Sequence, residues 1–228
     1  MQDRNAPPLN PLPLVVWALA LPIIAMELVL NLADAGLVGG AQGVGWRLQA
    51  MERFAFSPDL MRYFLETGKY PLNGLHRLVS YPFVHGNVTH AVFVVVILLA
   101  LGKMVGEVFR WWALLVVFFV SAVVGALVYT LVLPGVRAPL IGGYPAVYGL
   151  IGGFTFLLWV NLAAVGANKY RAFTLIGFLL GIQLLFGLLF GGGYEWVADL
   201  SGFATGFTLS FMVSPGGWSR VLAKVRQR

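Results

Sequence analysis

The chain has 228 residues, 59% of them apolar and only 11% charged, a balance that excludes an ordinary water-soluble globule. It contains no cysteine, which excludes a disulfide framework, a thiolate metal site and a thiol nucleophile. The formal charge of +6 would fit a nucleic-acid binder in a soluble protein, but here the basic residues flank apolar runs, so no nucleic-acid partner is expected.

Six apolar stretches have roughly the 20 residues needed to cross a hydrocarbon core of about 30 Å. They predict spans over residues 12–32, 83–101, 111–133, 145–165, 172–190 and 196–213. Helices follow, because barrel strands would alternate in polarity at every second residue. The first run is read as a helix of the mature protein: it is long, opens on prolines and lacks a small-residue cleavage site. Between the first two spans, residues 33–81 mix Gly39, Gly40, Gly43 and Gly45 with Trp46, Arg47, Phe54, Phe56, Tyr63 and Phe64. That composition predicts short amphipathic helices lying in the headgroup plane.

Lysine and arginine set the expected orientation. Arg4, Lys103, Arg110, Lys169, Arg171 and the tail Arg220, Lys224, Arg226, Arg228 fall on one side; the long segment, Arg137 and Glu195 fall on the other. The expected setting is a bacterial inner membrane with both termini in the cytoplasm and the long loop outside. The chain then divides into a cytoplasmic N-terminal segment (1–11), a transmembrane domain (12–213) and a basic cytoplasmic tail (214–228).

Ionisable residues inside apolar spans are the first candidates for chemistry, since each costs about 2.5–3.5 kcal/mol at a helix centre. Glu27, His85, His90 and Asp199 qualify. His85 and His90 are five residues apart, which on one helix separates them by about 140°, not a metal-binding spacing. Glu27 has no acidic or histidine partner at similar depth, so a protonated side chain bonded to a neighbouring helix is expected ahead of a transport role. Gly149 and Gly153, and Gly202 and Gly206, make small-xxx-small faces for close helix packing. No haem, flavin, nucleotide or metal motif is present, so no cofactor and no metal are expected.

Three segments, in order and at matching spacing, resemble the rhomboid family of intramembrane serine proteases. They are the run from His76-Arg77 through His85 to His90, the run Gly142-Gly143-Tyr144-Pro145 leading to Gly149, and the run around Asp199, Gly202 and Gly206. The resemblance covers residues 75–213 and implies an all-α, six-transmembrane-helix rhomboid-like bundle with a long outside loop between helices 1 and 2. Trp46-Arg47 resembles a family dipeptide, but His76-Arg77 holds its usual place, so it is read as coincidence.

The resemblance also implies where a serine nucleophile and a histidine base belong, and those positions hold Tyr144 and Asp199. A phenol is a poor acyl-transfer nucleophile and a carboxylate a weak base for it. Pro145 replaces a glycine and has no N–H; it is expected to hold Tyr144 extended. An expected oxyanion-donating asparagine is Val94. Ser201 lies on the wrong helix to substitute. Catalysis by the usual dyad is therefore not expected.

Dyad-less members of the family bind transmembrane segments of other proteins. By that implication the chain is a pseudoprotease that binds or scaffolds transmembrane helices, with the lipid bilayer as its other partner. His85, His90, Tyr144, Pro145 and Asp199 would line the client cavity, Asp199 pairing with one of the histidines. The alternatives are a structural or assembly subunit of a larger membrane complex, and a serine-type endopeptidase using a non-standard site.

Overall fold

The computed structural model describes residues 11–215. The N-terminal segment with Arg4 and nearly all of the basic tail, including Arg220, Lys224, Arg226 and Arg228, lie outside the described residues. Eleven α-helices follow in order: α1 (Leu14–Asp34), α2 (Gly40–Gly43), α3 (Trp46–Phe54), α4 (Pro58–Thr67), α5 (Leu72–Leu75), α6 (Arg77–Ser80), α7 (Val88–Gly106), α8 (Trp111–Val132), α9 (Tyr144–Ala164), α10 (Thr174–Phe190) and α11 (Trp196–Val213). Among the described residues six helices are long and apolar enough to cross a membrane: α1, α7, α8, α9, α10 with the 3-10 turn before it, and α11. The chain is an integral, multi-pass membrane protein built as an all-α bundle of the expected kind.

The predicted second span starts five residues too early. Its apolar signal runs through Tyr81–Phe83, which form a 3-10 turn, and Asn87 then opens α7 by accepting a hydrogen bond from the His90 N–H at 2.9 Å. The apolar run joins Phe83 and Val84 to the helix across His85-Gly86-Asn87, a polar break ending in a helix-capping asparagine. Residues 33–81 do form short helices, α2 to α6. In α4, Ser57 accepts from the Leu60 N–H, Pro58 sits at the start, and Gly68 closes the helix in a left-handed conformation. Met61 and Phe64 are its buried face. A single antiparallel bridge, Phe56 to Leu140, ties this segment to the connector after α8.

Burial is unequal among the spans. In α9, 56% of the best apolar window is buried inside the bundle, against 12% for the fifth span. The central position of α9 follows from backbone approach to α11. A Cβ on Gly206 would strike the Gly149 carbonyl, one on Gly202 the Pro145 carbonyl, and one on Gly152 the Phe203 carbonyl. Gly153 borders the same helix more loosely: a Cβ there would have Ser210 of α11 at 3.5 Å and Val105 of α7 at 3.7 Å as its nearest neighbours, so Gly152, three residues from Gly149, is where the backbones touch.

Candidate functional site

The helices α7, α9 and α11 begin at one end of the bundle, and their first turns bring together the side chains singled out in the sequence. His85 is not on a helix; it lies in the loop before α7. The 140° argument therefore does not apply, and its ring meets that of His90 edge-on at 4.9 Å between centroids. Tyr144 stacks on the other side of His90, 4.8 Å away with 19° between planes. Tyr144 is already the first residue of α9 and is not held extended, since a proline in the first turn costs no intrahelical hydrogen bond.

The Gly142-Gly143 turn completes this cluster. Gly142 has φ +84°, and any side chain there would collide with the imidazole of His90 and crowd that of His85. The Gly143 N–H donates to His85 Nε2 at 3.3 Å, so that nitrogen is an acceptor and the ring is neutral. Burial, then the adjacent His90 and Arg47, pushes the His85 pKa down to about 3, against a backbone hydrogen bond to Phe83. Val94, at the place of the expected asparagine, is fully buried and packs beneath Gly143. His90 Nε2 is buried without a hydrogen-bond partner.

Asp199 pairs with neither histidine. It is 2% exposed and its Oδ2 accepts from Gln183 Nε2 of α10 at 2.8 Å, while Gln183 Oε1 accepts from the Tyr148 hydroxyl at 3.3 Å. The expectation failed because Gln183 reaches Asp199 across the α10–α11 contact, whereas the histidines sit on the far side of Tyr144. Pro145 is buried against α8 and α11, its Cβ beside Gly125 and its carbonyl beside Gly202, so it shapes the packing under the cluster. Ser201 donates its hydroxyl to the Val197 carbonyl of its own helix at 2.6 Å. Beside Gln183 an open groove of about 610 Å³ runs between α10 and the α10–α11 connector, lined by Leu184, Gly187, Leu188, Glu195 and Trp196 among others.

Glu27 is bonded to a neighbouring helix, though a short one of the long loop rather than a span. Arg47 of α3 reaches it with two nitrogens, at 3.0 and 3.1 Å, and also contacts Asp34 at 2.8 Å and the His85 carbonyl at 3.1 Å. Asn31 adds a 2.6 Å hydrogen bond to the same carboxylate. Burial acts to lower the Arg47 pKa, but its bonds to Glu27 and Asp34 outweigh that and hold it above the usual value. Arg47 thus fixes the long loop to α1 and to the backbone of the histidine cluster, a role not foreseen from the sequence, where Trp46-Arg47 is set aside as coincidence because His76-Arg77 holds the family's usual place. Gln183 and Tyr148 were missed because they carry no charge; a lone amide in an apolar run was the available signal.

Acyl transfer needs a hydroxyl within hydrogen-bond reach of a base and aimed at a reacting carbon. In this cluster Tyr144 is stacked on an imidazole, His85 spends its acceptor on Gly143, and Asp199 is engaged by an amide. The arrangement offers hydrogen bonding, stacking and a buried carboxylate next to a groove.

Residues 72–216, more than half of the chain, match the Rhomboid domain. The chain is also 28% identical over 137 residues to RHOMBOID-like protein 4 of Arabidopsis thaliana, a stretch covering 60% of this chain and 34% of that relative. The chain therefore spans about a third of the length of that curated relative. Six spanning helices in a bundle, three motif segments converging at one end and the domain match lead to one conclusion: this chain belongs to the rhomboid family.

Proposed function

We propose that the protein is a client-binding pseudoprotease, which holds transmembrane helices of other proteins and does not cleave them. The observation that carries this reading is the way α10 is attached. It is the least buried span, and its polar tie to the bundle is the Tyr148–Gln183–Asp199 chain at the edge of an open groove. A helix arriving from the lipid would meet hydrogen-bonding groups there, and in hydrocarbon such groups favour a partner that can satisfy them.

Tyr144, stacked on His90, stands where the resemblance implies the family's nucleophile, and that reading supports binding without cleavage. Both termini are proposed to lie in the cytoplasm of a bacterial cell, with the groove opening on the outer side. A photo-cross-linking residue at Tyr144 in the native membrane tests the reading, with adducts identified by mass spectrometry. Adducts to transmembrane segments of other proteins are expected, together with no serine labelling by a fluorophosphonate. A labelled serine would make the protein a peptidase. No adduct, with one fixed partner co-purifying in stoichiometric amount, would make it a structural subunit.

A further inference from the structure

The charges around the groove all have one sign. The helix α10 carries no charged residue, the connector 191–195 contributes Glu195, and one amide away lies Asp199. Among the described residues the ion pairs are Arg47 with Glu27, Arg47 with Asp34 and Arg62 with Asp59, so neither Asp199 nor Glu195 has a cationic partner. Asp199 is buried in the first turn of a spanning helix, and its one side-chain hydrogen bond is to Gln183, a groove-wall residue. A buried carboxylate satisfied by a single neutral amide gains from a cation, and a cation in a membrane span gains equally from a carboxylate. The groove, at about 610 Å³, is within the usual roughly 300–1,000 Å³ range of ligand sites and has room for a long side chain and part of the helical turn that bears it, the rest of the helix lying in lipid.

We infer that this groove receives a client transmembrane helix bearing a lysine or arginine level with Glu195, the cation seating against Glu195 and reaching Asp199 by displacing Gln183. The inference rests on the client-binding reading and adds the chemistry by which the client is chosen. Discrimination comes from the carboxylates: an apolar helix leaves Gln183 in place, and an acidic one meets like charge.

The test uses the full chain in phospholipid nanodiscs with photoreactive benzoylphenylalanine at Leu188, a groove-wall position that is 84% exposed. Three synthetic leucine–alanine helices serve as probes, alike except for one residue level with Glu195, which is lysine, leucine or glutamate. The lysine helix should cross-link at least about tenfold more than the leucine helix, and the glutamate helix less than either. Asp199→Asn with Glu195→Gln should bring the lysine-to-leucine ratio to about one. Should Asp199→Asn not yield folded protein, Glu195→Gln alone, in the exposed connector, should cut the ratio at least about threefold. Equal capture of lysine and leucine helices by the unaltered protein would overturn the charge preference and leave client binding standing. Capture of no helix above that of a probe placed at Trp17, on α1 and away from the groove, would overturn both.

Discussion

Arg47 satisfies two carboxylates and a backbone carbonyl, so removing it strands Glu27 in apolar surroundings. Breaking a buried pair from one side typically costs about 3–5 kcal/mol, and Arg47→Leu is expected to destabilise the protein by that order in detergent unfolding. Adding Glu27→Gln should recover part of the loss, and strictly additive effects in this double-mutant cycle would mean that the two residues are not coupled. His85 carries a pH dependence of definite sign. Its folded pKa of about 3 lies below the ordinary 6.5, so the folded state binds fewer protons than the unfolded one between those values. The stability is present above pH 6.5 and is lost as pH falls towards 3. His85→Gln keeps an acceptor for the Gly143 N–H and should flatten that part of the melting-temperature profile relative to the unaltered protein. An unchanged slope would show that other groups carry it. Glu27 was legible in the sequence because a carboxylate in an apolar run is conspicuous; its partner, 20 residues away in a glycine-rich loop, became visible only once the loop folded back.

The same contrast holds between elements. Five of the six spans lie within two or three residues of their hydropathy limits, because lipid demands a fixed length of apolar helix. The start of α7 did not, since the apolar Phe83 and Val84 of the preceding turn were joined to the helix across the polar His85-Gly86-Asn87, and with it went the relation of His85 to His90. Small-residue faces on α9 and α11 were legible as spacing, but only the folded seam distinguishes Gly152 from Gly153. Glycines in the seam and glycines on α10 should therefore respond oppositely to substitution. Gly206→Ala pushes a methyl group into the Gly149 carbonyl and should cost about 1–3 kcal/mol or more, as overpacking does. Gly177→Ala meets open space and gains helix propensity, so its melting temperature should stay level or rise. A loss at Gly177 comparable to that at Gly206 would mean that α10 is packed against something in its working state.

At the scale of the whole molecule, six antiparallel spans put the two ends of the transmembrane domain on one side of the membrane and the histidine–tyrosine cluster on the other. On the first side stand Lys103 in the last turn of α7, Arg110 in the connector before α8, and Lys169 and Arg171 in the 3-10 turn before α10. The opposite side has Arg47, Arg53, Arg62, Lys69, Arg77 and Arg137, yet in the folded protein Arg47 is paired with Glu27 and Asp34. Arg62 is bound to Asp59 and to carbonyls at the end of α8, and Arg77 to the carbonyls of Glu52 and Ala55. Three of the five basic residues of the long segment, Arg47, Arg62 and Arg77, thus serve its internal structure. On the first side Arg110 and Arg171 are exposed and Lys103 and Lys169 half-exposed, an arrangement that fits a cytoplasmic surface under the positive-inside rule. A fluorescent protein fused after Arg228 should fluoresce in the cytoplasm, and alkaline phosphatase inserted after Gly68, in the exposed turn that closes α4, should be active outside it. The reverse pattern would turn the molecule over, place the groove on the cytoplasmic face, and require the client's cation to enter from the side where basic residues normally flank membrane spans.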